Sequence, residues 1–413
     1  MPAKLLDMKT LLRDDLPEPR AVHAAQPEFS FDNGDNDPAA VPVEAMAQIA
    51  AHVIRDHGKR LAWYHLGGSP LGWLPLREHL AKRLAAPQAR KVSADEILVL
   101  PGSTPGLDLV NAAFLRPGDH VLVEAFSYSA AIRRLERLGV RIHAVAMDSQ
   151  GIDAEALEAQ LGALASQGIS PRLLYTIPTV QNPTGSILPL DRRLRLIELA
   201  RRHGFLIFED ECYAELTWDD ARPPSLFSLG ADCCILLGSL SKTLVPALRL
   251  GYLAAPSGIM GRLLALKNDG GTGGLTQLVA IRYLETQYDT HVARLRDELR
   301  QKCAHVIEAF AREFGVTADI LAPQGGMFVW VKLDPAINAL QLLDEARRQG
   351  ITFNAGPDWH ANYTDGHNMI RVCFAASTLE RLDQGIGMLA NLSHRIFGLP
   401  ARSGNAAARS TTS

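Results

Sequence analysis

The chain has 413 residues, enough for a large domain plus a smaller one, and its 47% apolar and 21% charged residues match a soluble globular enzyme. A net charge of −3 leaves neither sign dominant, which argues against a nucleic-acid or membrane-surface protein. No run approaches the roughly 18 apolar residues that span a bilayer. The opening MPAKLLDMKTLLRDDLPEP carries charges inside its apolar stretch, so it does not read as a signal peptide and a cytoplasmic location is expected.

Residues 1–30 contain several prolines and read as an arm or a short helix. From Leu76 a helix is predicted through LREHLAKRLAA, from apolar positions three and four apart. Short apolar runs then alternate with helical stretches. The strand candidates are EILVL (96–100), HVLVEA (120–125), RIHAVAM (141–147), LLYTIP (173–178), FLIFED (205–210), CCILLGSL (233–240) and GYLAAP (251–256). Amphipathic segments 154–164 and 189–204 lie between them. Continuous apolar strands separated by helices predict an α/β fold: a mainly parallel seven-stranded sheet between helix layers.

After about residue 290 the pattern changes to a long helix, GGMFVWVKL, a helix, ITFNAG, NMIRVCFA and a final helix. That reads as a small α+β domain. The expected organisation is 1–55 as an N-terminal arm and part of the small domain, 56–290 as the large domain, 291–398 as the small domain, and 399–413 as a disordered tail. The five cysteines, Cys212, Cys233, Cys234, Cys303 and Cys373, form no CxxC pair and read as thiols in a reducing compartment, with no metal site.

Ligands of an open α/β sheet bind at the carboxyl ends of its strands. Those ends carry Gly102-Ser103-Thr104, Glu124 to Tyr128, Gln181 to Gly185, Asp210 to Tyr213, and Ser239 to Lys242. Lys242 follows a strand so apolar that its amine loses hydration, which lowers its pKa and favours the nucleophilic form. Alone it could equally be a lysine emerging at a sheet edge. Ser239, Ser241 and Arg249 add hydroxyls and a guanidinium, and Ser103-Thr104 opens a helix whose N–H groups can receive a phosphate. Asp210 could cap the next helix or face a pyridine nitrogen and keep it protonated. Asn182 and Tyr213 could donate to a phenolic oxygen, and Tyr128 could stack on a ring. Together these suit an aldehyde cofactor carrying a phosphate.

The combination of QNPTG, EDECY, SLSK with LRLGY, GGMFVWV and IRVCFA resembles the class I/II aminotransferases, fold-type-I pyridoxal-phosphate enzymes, from about residue 60 to residue 392. Within them it is similar to the branch holding aminoadipate, kynurenine and aromatic aminotransferases. The resemblance implies pyridoxal 5'-phosphate held as a Schiff base on Lys242, with Lys242, Asp210 and Tyr213 catalytic. It implies cofactor contacts from Ser103, Thr104, Tyr128, Asn182, Ser239, Ser241 and Arg249, and a substrate α-carboxylate on Arg371 with Asn182 assisting. It also implies an amino acid and a 2-oxo acid as reactants, and a homodimer with sites at the interface. Thr272 matches a position that reaches the neighbouring subunit's phosphate. Gly67 stands where the family has a cross-dimer tyrosine, so Tyr64 is the candidate for that role. The segment FDNGDNDPAAVP, with Asp32, Asp35 and Asp37, reads as a solvated capping loop. Two alternatives stay open: elimination, replacement or cyclisation with the same cofactor, and, less favoured, an aminotransferase-like effector domain of a transcription regulator.

Overall fold

Seven strands form one sheet in the computed structural model, which describes residues 27–85, 90–219 and 222–401 together with 7–13, 16 and 19. Their spatial order is Ile97–Leu100, Gly251–Ala254, Cys234–Ser239, Leu206–Asp210, Leu173–Thr176, His120–Glu124 and Arg141–Val145. The last five run parallel to one another. Gly251–Ala254 is antiparallel to both neighbours. Its reversal has a simple cause. Eleven residues, 240–250, link it to the strand beside it, short of the crossover of a dozen or more that a parallel pair needs.

The apolar runs are continuous because both sheet faces are covered. Ile97 and Val99 enter the core on one face, while Leu98 and Leu100 enter the core on the other. The expected strand 141–147 breaks after Val145, and Met147–Asp148 turns back in a short hairpin with Gly151–Ile152.

A second, antiparallel sheet has the order Ala318–Ile320, Phe328–Leu333, Met369–Cys373 and Asn354–Ala355. The helices Tyr288–Phe314, Ala339–Arg348 and Leu379–Phe397 cover it, sharing one apolar core. Phe29 and Phe31 join this core, and Phe29–Ser30 pairs in parallel with Ile351–Thr352. The chain then leaves it: helix Val43–His57 packs against helix Gly274–Thr286 beside the large sheet. The tail from residue 402 lies outside the described residues, as does much of the arm before residue 27. No described helix is long and apolar enough to cross a membrane.

Candidate active site

The carboxyl ends of the large-sheet strands and the start of the small sheet enclose one cavity of about 380 Å³. Lys242 reaches it directly after the strand Cys234–Ser239. Its Nζ donates to the Gly34 carbonyl oxygen at 2.7 Å, and burial lowers the pKa of the amine. A Cβ on Gly34 would sit 2.6 Å from Nζ, so a larger residue there would push the amine away from this contact.

Asp210 ends its strand with the carboxylate buried. It accepts from the Tyr175 hydroxyl at 2.8 Å and from the Cys212 amide at 3.2 Å. Burial raises its pKa while these bonds oppose the rise. Asn182 Nδ2 points at the Tyr213 hydroxyl, 3.4 Å away, and burial holds that phenol protonated. Tyr128 caps the helix Ser129–Leu138, its ring 6.2 Å from Trp359.

A second group faces the start of helix Thr104–Phe114. Ser239 Oγ accepts the Ser241 amide at 3.1 Å, and Arg249 Nη1 donates to Ser241 Oγ at 3.3 Å. Arg249 holds a left-handed backbone, φ 48°, which costs a non-glycine residue about 1 kcal/mol and fixes the direction of its side chain. Gly102, at φ 99°, leaves the guanidinium room: a Cβ there would collide with Arg249 Nη2.

Arg371 comes from the small-sheet strand Met369–Cys373 and is 4% exposed. Its Nη1 donates to Asn354 Oδ1 at 2.6 Å. The guanidinium lies between two rings, 4.5 Å from the Phe328 centroid and 4.8 Å from that of Trp359.

Ser103, Thr104, Tyr128, Asn182, Asp210 and Tyr213 thus line the same cavity as Ser239, Ser241, Lys242, Arg249 and Arg371. Tyr64 does not. It is 84% exposed, near a separate groove formed with residues 270–274, so one chain alone does not bring it to this site. The Thr272 hydroxyl is already bonded to the Val99 carbonyl within the chain. The segment 31–37 caps as expected, with Asp37 accepting the Ala39 amide and an ion pair from Lys302, and Asp32 accepting the Ser30 and Thr352 hydroxyls. It is more than a solvated loop, however, because Asp32 and Gly34 line the cavity.

Sequence reasoning missed Gly34, Tyr175, Asn354, Trp359 and Arg133. Only Arg133 left a local signal: it lies four residues after Ser129 on one helix, so the two share a face, and both line the cavity. Arg133 has no ion-pair or hydrogen-bond partner among the described residues.

Two buried polar atoms in the cavity wall, Asn182 Oδ1 and Arg371 Nε, have no protein partner. Buried polar groups are rarely left so, and in a cavity wall these two atoms are placed to meet a bound molecule. Pyridoxal 5'-phosphate fits the remaining donors and acceptors, with an anion pocket, a carboxylate and an amine of lowered pKa facing one cavity. That cradle, on this strand order, defines a fold-type-I pyridoxal-phosphate enzyme.

The chain belongs to the aminotransferase class I and II family, whose model matches residues 30–389. The match begins about thirty residues upstream of the motif resemblance and takes in the segment around Gly34. Among curated relatives, the chain is 34% identical to the 2-aminoadipate transaminase of Thermus thermophilus, over 90% of this chain and 91% of the relative. The solved α-aminoadipate aminotransferase of that organism, in complex with N-(5'-phosphopyridoxyl)-L-leucine, is 32% identical with a TM-score of 0.81, over 90% of this chain and 93% of that one. The kynurenine aminotransferase of Pyrococcus horikoshii, solved with PMP, is 29% identical with a TM-score of 0.86, over 94% and 98%.

Proposed function

We propose that the protein transfers an amino group between an α-amino acid and a 2-oxo acid, with Lys242 as the residue that holds the cofactor and shuttles the proton. The observation that carries this reading is the meeting of Lys242 and Arg371 in one cavity, although they arise from different sheets. When bound, pyridoxal phosphate supplies a ring that delocalises the electron pair left when an α-proton departs.

The chain's own residues do the rest. Burial lowers the pKa of the Lys242 amine, which favours its nucleophilic form. With the cofactor in place, Nζ would be the group that takes the proton from the substrate Cα and holds it for return. Asp210 accepts the pyridine N–H, and Tyr175 and the Cys212 amide hold its carboxylate in place. Ser103, Thr104, Ser239, Ser241 and Arg249 receive the phosphate, with the helix start adding N–H groups. Tyr213 and Asn182 donate to the ring oxygen, and Tyr128 covers one ring face. Arg371 takes the α-carboxylate, its unpartnered Nε completing a two-pronged grip with Asn182 assisting.

The working unit in this reading is a homodimer in the cytoplasm. Its support is an exposed apolar patch, with Leu61 43%, Trp63 60% and Tyr64 84% exposed beside residues 270–274. Tyr64 then serves the partner's site. The five unpaired thiols suit a reducing compartment.

The purified protein is expected to be yellow, and borohydride should fix the cofactor to Lys242. Lys242→Ala should lose that fixation and nearly all turnover. Mixed with its amino acid alone, the enzyme should bleach its visible band stoichiometrically and recover it on addition of a 2-oxo acid. Repeated turnover without an acceptor would instead establish an elimination or cyclisation reaction.

A further inference from the structure

Glu124 ends the strand His120–Glu124 with its side chain 1% exposed, and no step above uses it. Its carboxylate accepts four hydrogen bonds. Thr176 Oγ1 donates at 2.6 Å and the Ile177 amide at 3.1 Å, both to Oε1. Gln181 Nε2 donates at 2.8 Å and Ser127 Oγ at 3.2 Å, both to Oε2. Four donors occupy the four lone-pair sites of an ionised carboxylate.

These donors come from the two segments that carry the ring contacts. Ser127 precedes Tyr128, and Gln181 precedes Asn182. Gln181 Nε2 also donates to the Phe126 carbonyl at 2.7 Å, and its Oε1 accepts the Thr184 amide at 2.9 Å and the Thr184 hydroxyl at 2.8 Å. One buried carboxylate therefore spans the loop at Tyr128 and the QNPTG loop.

We propose that Glu124 is a positioning residue for the cofactor site, holding Gln181 and Ser127 so that Asn182 and Tyr128 keep a fixed spacing around the ring. The proposal rests on the reading of Asn182 and Tyr128 as cofactor contacts. The Ile177 amide and Gln181 Nε2 can only donate, whereas the hydroxyls of Thr176 and Ser127 can turn round. A proton on either oxygen therefore has to be donated to one of those hydroxyls, which must turn round to accept it, and the charge that strengthens the bonds to Gln181 and Ile177 is lost. Burial pushes this carboxyl up to about 7, opposed by its four donors. The titratable groups around it are Tyr175 on the adjacent strand, Tyr128, and His360 across the Phe126 ring. Burial raises both phenols and lowers the imidazole, favouring the uncharged form of each. The carboxylate is the group in this cluster that changes charge near neutral pH.

The test measures the dissociation constant of pyridoxal phosphate and the KM for the amino acid from pH 6 to 8, in the wild type, Glu124→Gln and Thr176→Val. The glutamine keeps the shape, stays neutral, and sets its NH2 against that of Gln181. At pH 8 it should weaken cofactor affinity and raise KM, each by about tenfold, the scale of one lost bond to a charged group. Its cofactor affinity should be flatter with pH, the wild type converging on it towards pH 6. Thr176→Val keeps the Gln181 bond but removes a donor, so the midpoint of the wild-type pH dependence should move up. Wild-type affinity and KM in Glu124→Gln at pH 8, or an unmoved midpoint in Thr176→Val, would overturn the proposal even if melting temperature fell. A wild type that borohydride cannot fix to its cofactor would instead sink the assignment of the site itself.

Discussion

Arg371→Lys separates a grip on the substrate from a role in the cofactor. The guanidinium is held on three sides, by Asn354 Oδ1 at 2.6 Å and by the rings of Phe328 and Trp359, which leaves Nε and one Nη edge for a ligand. A lysine ammonium reaches the same region as a single point donor and cannot form the fork. Losing one of two charge-assisted bonds costs about 1.5–3 kcal/mol, or roughly 10- to 150-fold in affinity. The assay is the rate of bleaching against amino acid concentration, with cofactor affinity measured separately. The apparent dissociation constant should rise by that factor while cofactor affinity stays within about twofold. Asn354→Ala leaves the guanidinium but frees its Nη1 anchor, so a smaller rise, about tenfold, is expected. Unchanged amino acid affinity in Arg371→Lys would refute the reasoning, as would loss of the cofactor.

Asp210→Ala removes the acceptor for the pyridine N–H, so turnover should fall by several kcal/mol, on the order of a thousandfold, in single-turnover rates. A residue that merely capped a turn would lose only about 1 kcal/mol of stability and keep its rate. Gly34→Ala places a methyl against Lys242 Nζ and should slow borohydride fixation without lowering the melting temperature; an unaltered rate would show that the carbonyl contact does not orient the amine. Glu124 has a folded pKa raised from 4.5 to about 7, so its contribution to stability is present below pH 4.5 and lost as pH rises through 7. Relative to Glu124→Gln, the cofactor-free wild type should therefore lose about 3 kcal/mol between pH 5 and pH 8 in denaturant titrations. A difference that does not change with pH would contradict the burial of an ionising carboxylate.

The large sheet was legible because each strand is buried on both faces and therefore reads as an unbroken apolar run, as in Ile97–Leu100 and Cys234–Ser239. The direction of Gly251–Ala254 was not, since side-chain patterning is the same for either polarity and only the short link decides it. The site residues at strand ends were legible for a related reason: Asp210 and Lys242 interrupt apolar runs, and a polar residue there has to meet something. Gly34, Asn354 and Trp359 gave no such signal. Each acts through a partner distant in sequence, Gly34 on an amine 208 residues away. Trp359 shows its role only once Arg371 lies beneath its ring. Tyr64 marks the other limit, since it is 84% exposed beside the groove with residues 270–274 and away from the cavity.

The pairing of Phe29–Ser30 with Ile351–Thr352 has a mechanical consequence. Gly34 lies four residues beyond that pairing, and Asp32 is bonded to the Thr352 hydroxyl. Asn354, which anchors Arg371, lies two residues beyond it on the other strand. The carbonyl that accepts from Lys242 and the guanidinium proposed to grip a carboxylate are thus mounted on one frame, while Lys242 itself is mounted on the large sheet. Any sliding of that frame towards the large sheet moves the grip and the lysine's tether together.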